Sequence, residues 1–357
     1  MAEPVVVNGT GRLAAGGPLL SVQHLTIDYR SADGVVSLVR DVSFDIGHGE
    51  VVCLVGESGS GKTLTGRAVL GLLRRNARMA VRGSVLFGGR DLNTVPERQL
   101  RAIRGSQIGM IFQDPVAALD PVVRVGRQVA EAITRGGQPR PGRGAGRVGD
   151  RVAGLLRQVG ISDPELRMRQ FPHEISGGMC QRILIASALA GEPSLLIADE
   201  PTTALDVTIQ AQVLDLLTAL CRERSMSVLL ITHDMGVAAR MADRILVMYA
   251  GSIVEQAPIA DFFAHPAHPY GLGLIRAVPR VDTGRSRRLS AISGSVPEAR
   301  SRPAGCPFHP RCPVALDICA QDEPRMEQAG AQLAACHRTA EVRAGTLTVW
   351  DGHVAVH

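Results

Sequence analysis

Residues 56–63 read GESGSGKT, an instance of G-x-x-x-x-G-K-(S/T), set between the apolar run VVCLV (Val51–Val55) and a helical pattern. The flanks matter as much as the match. A buried strand delivers the loop, its glycines turn successive backbone N–H groups inward, and the following helix aims its N-terminus at the same anion. Lys62 is the only lysine in the chain, every other one of the 39 basic residues being arginine. A compact ammonium on a slender stem can enter such a nest and bond β- and γ-phosphate oxygens, whereas a guanidinium is a wide, rigid fork. Thr63 offers a hydroxyl to Mg²⁺, which takes oxygen ligands. Gly56, Glu57, Ser58, Gly59, Ser60, Gly61, Lys62 and Thr63 are therefore read as a nucleoside-triphosphate site.

Outward from this loop, short β-rich runs alternate with helical patterns from Leu19 on, the signature of an α/β fold with a mostly parallel sheet covered by helices. Three runs, Val51–Val55, 195–198 and 228–232, are apolar enough for buried central strands, and each ends on glycine or polar residues. Ligands of open α/β sheets sit beyond the carboxyl ends of the strands, so these exits are expected to converge. The second reads LLIADEP (195–201), placing Asp199 to hold Mg²⁺ and Glu200 to polarise an attacking water as general base. The third reads LLITHD (229–234), where His233 could contact the γ-phosphate.

Between the first two strands, helical patterns over 96–104, 125–134 and 150–159 suggest an inserted helical subdomain, about 96–190. Its middle, RGGQPRPGRGAGRVGD (135–150), has the composition of a flexible linker. Over 210–223, Val213, Leu216, Leu217 and Leu220 recur at helical spacing and should pack on the sheet. Residues 1–18 are expected to be a flexible N-terminus, 19–260 the nucleotide-binding domain and 261–357 a C-terminal extension.

With 357 residues, 45% of them hydrophobic, the chain can build packed cores. No apolar run reaches the roughly 18 residues of a membrane span, and the N-terminus lacks signal-peptide order, so a cytosolic protein is expected. A net charge of +5 is weak evidence for a nucleic-acid partner, and with 3% aromatic residues no stacking platform for single strands stands out. No nucleic acid is therefore expected as a partner. Cys53, Cys180 and Cys221 are scattered, whereas Cys306, Cys312, Cys319 and Cys336 gather near the end.

A phosphate loop with an acidic strand end also suits helicases, GTPases and small-molecule kinases. EISGGMCQR (174–182), shortly before LLIADE, resembles the signature of the ATP-binding cassette (ABC) family. IFQDP (111–115) resembles its Q-loop, TALD (203–206) its D-loop with Asp206, His233 its switch histidine, and Tyr29 the aromatic residue that stacks on adenine. The resemblance implies a P-loop NTPase core of the RecA-like kind. It also implies that Ser176, Gly177, Gly178 and Met179 close over ATP held by a second, head-to-tail cassette. A Ser-Gly-Gly helix start is an anion-binding device in its own right. By the same resemblance Gln113 reaches the γ-phosphate and Mg²⁺ and belongs with Glu200 and His233 in catalysis. Met179 stands where the signature usually has glutamine, and the peptide-importer branch also shows methionine there.

The wording of 171–190, 195–217, 231–255 and 265–280 is similar to the ATPases of oligopeptide, dipeptide and nickel importers. This implies ATP and Mg²⁺ as cofactors and a location on the cytoplasmic face of the membrane. The implied partners are two permease subunits, a second and often different ATPase, and an extracytoplasmic binding protein. A nickel or metal-chelate importer remains an alternative, as does a soluble ABC ATPase acting on ribosomes or DNA. Some members of the branch hold a 4Fe–4S cluster on a cysteine segment like CPFHPRCPVALDIC (306–319) with Cys336, and four thiolates meet that ligand count. Unliganded or partly oxidised thiols are one alternative and structural zinc another, although zinc sites more often use closely spaced cysteine pairs.

Overall fold

The structure is a computed structural model that describes residues 17–135, 145–203, 205–278 and 292–347. Its strands are β1 (Leu20–Ser31), β2 (Gly34–Ile46), β3 (Val51–Val55), β4 (Met79–Phe87), β5 (Arg90–Asp91), β6 (Ile108–Ile111), β7 (Leu195–Asp199), β8 (Ser227–Thr232), β9 (Arg244–Tyr249), β10 (Ser252–Pro258), β11 (Glu327–Ala329) and β12 (Gln332–Ala334). The helices are α1 (Lys62–Val69), α2 (Glu97–Ile103), α3 (Pro115–Ala118), α4 (Val125–Arg135), α5 (Ala145–Gln158), α6 (Pro164–Arg167), α7 (Gly177–Leu189), α8 (Val207–Arg224), α9 (Met235–Met241), α10 (Ile259–Ala264), α11 (Pro269–Ala277) and α12 (Thr339–Arg343). Among the described residues no helix is long and apolar enough to cross a membrane.

The described residues divide into two compact units, one drawn from within 1–21, 45–50 and 86–230, the other from within 22–44, 51–85 and 231–357. In the first, β6 pairs parallel with β7 in the register Ile108↔Leu195 to Ile111↔Ala198. β8 begins beside β7, with Ser227 N donating to Ser194 O. Every residue of β7 is buried, and strands covered on both faces read as unbroken apolar runs for that reason. Helices α4, α5 and α7 pack on one another. The buried Val125, Val129 and Ile133 of α4 and Val152 and Leu156 of α5 lie at helical spacing.

Two expectations need correction here. α5 begins at Ala145, inside the stretch read as linker. Arginine is a good helix former, and the apolar face of α5 gives this Gly/Arg-rich sequence a surface to pack. Residues 136–144 of that linker, like 1–16 of the N-terminus, lie outside the described residues. On α8 the buried face is Val213, Leu214, Leu217 and Leu220, while Leu216 is only half-buried. The stripe is therefore rotated toward Leu214.

In the second unit β3 pairs parallel with β9, from Val52↔Arg244 to Val55↔Val247. β10 returns antiparallel along β9 through the turn at Ala250 (φ 44°) and Gly251 (φ 88°), the left-handed pair that a two-residue hairpin requires. β12 and then β11 extend the same sheet, so the C-terminal region adds strands to it. β2, β1 and β4 lie side by side in a separate sheet.

Candidate functional site

The phosphate loop leaves β3 at Gly56, whose φ is 152° and where a Cβ would stand 2.1 Å from the carbonyl oxygen of Met248 on β9. Only glycine passes that close to a neighbouring backbone. The loop then closes with Ser60 N donating to Glu57 O, and α1 opens behind Gly61 with Thr65 N donating to Gly61 O. Lys62 is 6% exposed. Its Nζ donates to the carbonyls of Gly56 (2.8 Å) and Glu57 (2.9 Å), which hold the ammonium across the loop. In the same unit Tyr29, near the end of β1, is half-buried and accepts from Arg78 at 3.4 Å. His233 is exposed just after β8, ahead of Asp234, which caps α9 by accepting from Gly236 N and Val237 N.

In the first unit Asp199 ends β7 and is 1% exposed. Glu200 follows in left-handed backbone, φ 47°, a conformation that residues with side chains avoid unless their surroundings impose it. One oxygen of its carboxylate accepts from Gln113 Nε2 (2.9 Å) and Thr203 Oγ1 (2.8 Å). The parallel pairing of β6 with β7 brings Gln113 and Glu200 to neighbouring strand exits. Sequence reasoning placed Gln113 and Glu200 in one site but missed Thr203. It also missed Gln181, 1% exposed on α7, whose amide donates to Pro201 O at 2.6 Å and fixes the turn after Glu200. Its place inside EISGGMCQR (174–182), one residue before Arg182, was the available signal.

The same unit also holds the start of α7, where the sequence reads Ser-Gly-Gly-Met. Ser176 caps α7, its hydroxyl accepting from Met179 N, and Gly177, Gly178 and Met179 form the first turn. A Cβ on Gly178 would stand 2.9 Å from Ile209 of α8, so this position too favours glycine. Asp206 caps α8 by accepting from Ile209 N at 2.9 Å. Ser176, Gly177, Gly178, Met179 and Asp206 all line one open cleft of about 480 Å³. Arg182 also lines it, held by donation to Val159 O (2.7 Å) and Gln212 Oε1 (3.0 Å). The N-terminus of α7 and the Arg182 guanidinium contribute positive charge to this cleft, and the Asp206 carboxylate at the start of α8 contributes negative charge.

Residues 39–203 match the ABC transporter family model, and residues 254–319 match the model of the oligopeptide/dipeptide transporter C-terminal region. The dipeptide transport ATP-binding protein DppD of Bacillus subtilis is 47% identical over 301 residues, 84% of this chain and 88% of that protein. The chain belongs to the ABC transporter family. The oligopeptide transport ATP-binding protein OppD of Mycobacterium tuberculosis is 49% identical over 323 residues, 90% of this chain, which spans only 52% of that relative's length. Among solved structures the cassette resembles the dimeric ATP-binding cassette MJ0796 in a post-hydrolysis state bound to ADP and Pi. The TM-score is 0.60 at 26% identity, covering 67% of this chain and 98% of that one. The fold is thus the P-loop NTPase fold of an ABC cassette.

In the cassette's C-terminal region Cys306, Cys312, Cys319 and Cys336 line one small cavity together with Phe308 and Pro269. All four are free thiols. Burial pushes Cys306 up to about 11 and Cys336 up to about 12, and it raises Cys312 as well. Backbone amides point at two of the sulfurs, Leu316 N to Cys319 Sγ at 3.5 Å and Arg338 N to Cys336 Sγ at 3.3 Å. No three His, Cys, Asp or Glu side chains among the described residues are arranged to hold a metal ion. The other cysteines, Cys53, Cys180 and Cys221, are buried elsewhere.

Proposed function

We propose that this chain is the ATP-hydrolysing subunit of a membrane importer for oligopeptides or dipeptides. Residues 19–260 are the nucleotide-binding domain, with 96–190 as its helical subdomain, and 261–357 the extension. The kinship with peptide transport ATP-binding proteins and the match at 254–319 support the substrate class. The protein then works at the cytoplasmic face of the membrane with two permease subunits, a second ATPase and an extracytoplasmic binding protein.

In this reading the loop from Gly56 to Thr63 cradles the triphosphate and the Lys62 ammonium turns onto its β- and γ-oxygens, while Tyr29 stacks on adenine. Thr63, Gln113 and Asp199 supply the oxygen donors that suit Mg²⁺, which would neutralise phosphate charge. Glu200 takes a proton from the attacking water, and His233 contacts the γ-phosphate. Ser176, Gly177, Gly178 and Met179 meet the triphosphate of a second cassette, with Asp206 beside them. Binding energy shared across two cassettes makes ATP the agent of closure, and hydrolysis ends it.

The observation that carries the reading is the carboxylate of Glu200, held by Gln113 and Thr203 in a strained backbone at a strand exit. Glu200→Gln should abolish ATP turnover in the assembled transporter while leaving ATP bound. Undiminished hydrolysis by that variant removes the general-base assignment.

For the cysteine cavity we propose a 4Fe–4S cluster with a structural or redox-sensing role. Four free thiols lining one cavity, with amides donating to sulfur, suit the donor set of such a cluster. The positive charge of iron would offset the cost of ionising buried thiols. A cluster is several atoms wide, so its thiolates stand farther apart than those around a single zinc. Cys312→Ser with Cys319→Ser should bleach the brown absorbance. Wild-type protein that is colourless and iron-free when purified without oxygen refutes the cluster.

A further inference from the structure

Glu57 occupies a variable position of the phosphate loop, and an acid there adds negative charge beside a bound triphosphate. Every polar group of Glu57 is engaged. Its N–H donates to the Tyr270 hydroxyl at 2.9 Å, and its carbonyl accepts from Lys62 Nζ and Ser60 N. Its carboxylate takes both arms of Arg311, at 3.0 and 3.1 Å. Two of these partners come from the C-terminal region, Tyr270 on α11 and Arg311 one residue before Cys312.

Arg311 is fixed more firmly than an ion pair on a surface. Its side chain is 6% exposed against 33% for Glu57. Nε donates to Ser293 O at 2.8 Å, one arm reaches Tyr249 Oη at 3.4 Å, and the guanidinium lies over the Tyr249 ring. The Tyr249 ring in turn packs edge-to-face on Tyr270 and Phe308, which are tilted against each other, with ring centroids 4.7 to 5.4 Å apart. A planar guanidinium that is bidentate on one side and stacked on the other holds its partner in one orientation, which lysine could not reproduce.

We propose that Arg311 is a positioning residue for nucleotide binding: it cancels the Glu57 charge at the phosphate loop and holds the backbone whose carbonyl orients Lys62. The inference rests on the reading of 56–63 as the ATP site and adds to it a contribution from the C-terminal region, 254 residues away along the chain. Without the guanidinium, the carboxylate faces the incoming phosphates uncompensated, and the effect grows with phosphate charge.

The test is nucleotide affinity of the full chain, measured by titration calorimetry with Mg-ATP, Mg-ADP and AMP. Arg311→Gln should weaken ATP about tenfold, as expected for a lost charge-assisted contact, weaken ADP less and leave AMP unchanged. Arg311→Lys keeps the charge and should recover part of the loss. Adding Glu57→Gln to Arg311→Gln should recover most of it, an outcome that mere loss of packing would not produce. Wild-type ATP affinity in Arg311→Gln, an equal loss for all three nucleotides, or a double variant as weak as the single one overturns the proposal. If Arg311→Gln does not fold, an Arg311→Lys variant with unaltered ATP affinity and an equal response to all three nucleotides overturns it too. Lys62→Ala separates the two readings: if it abolishes ATP binding while the Arg311 variants bind normally, only this inference fails, and if it binds normally the ATP site itself is wrong.

Discussion

At Glu200 the backbone takes a left-handed turn that costs on the order of 1 kcal/mol or more, and the side chains around it impose that turn. The acid itself was legible as the residue after an apolar run, because a strand exit is where an α/β sheet presents its chemistry. Its φ of 47° and the Thr203 hydroxyl were not legible, since neither leaves a periodic trace in the sequence. The Thr203 contact orients the carboxylate without touching phosphate in the proposed mechanism. Thr203→Val should therefore lower kcat about fivefold, the worth of one hydrogen bond, with KM for ATP unchanged. A steady-state kinetic comparison checks this, and a raised KM with normal kcat would assign Thr203 to binding instead.

Among the elements, the junction of β10 with α11 carries a pH dependence. Glu255 on β10 is fully buried and accepts from Ala267 N and His268 N, and burial pushes its carboxyl up from 4.5 to about 8. His268 caps α11 by accepting from Tyr270 N, and burial pushes it down from 6.5 to about 3. Between pH 3 and 6.5 the folded chain binds fewer protons at His268 than the unfolded chain, so stability rises with pH. Between 4.5 and 8 it binds more at Glu255, so stability falls with pH. The two slopes oppose each other from 4.5 to 6.5, which leaves a net fall from 6.5 to 8 of up to about 1.4 kcal/mol per pH unit. Urea denaturation at pH 6.5 and 8 should show that fall in the wild type and its loss in Glu255→Gln. An unchanged fall in the variant would place the titration elsewhere.

Strands and helices at this scale followed closely from apolar periodicity, as the three buried runs and α4 show. The exceptions have physical causes. Glycine and arginine in 145–149 masked the start of α5, because composition alone does not show a packing partner. Leu214 and Leu216 lie on either side of the same apolar stripe, and only tertiary contact decides which is covered.

Across the whole molecule, the order of motifs from the phosphate loop through Ser176 to His233 identified the cassette, because each motif needs its own strand exit or helix start. The return of the C-terminal region to the phosphate loop could not be foreseen. Tyr270 and Arg311 read as an unremarkable aromatic and one arginine among many, and their meeting with Glu57 depends on long-range folding. The signature cleft points the same way, since Ser176 and Arg182 line a pocket whose proposed phosphate belongs to another subunit.

That shared phosphate is the central claim. It is tested most directly by sedimentation of the Glu200→Gln protein, alone and mixed with the proposed second ATPase, with and without Mg-ATP. A cassette pair that forms with Mg-ATP, fails to form with Mg-ADP and disappears on introducing Lys62→Ala is the predicted result. Cassettes that remain single in saturating Mg-ATP would contradict it.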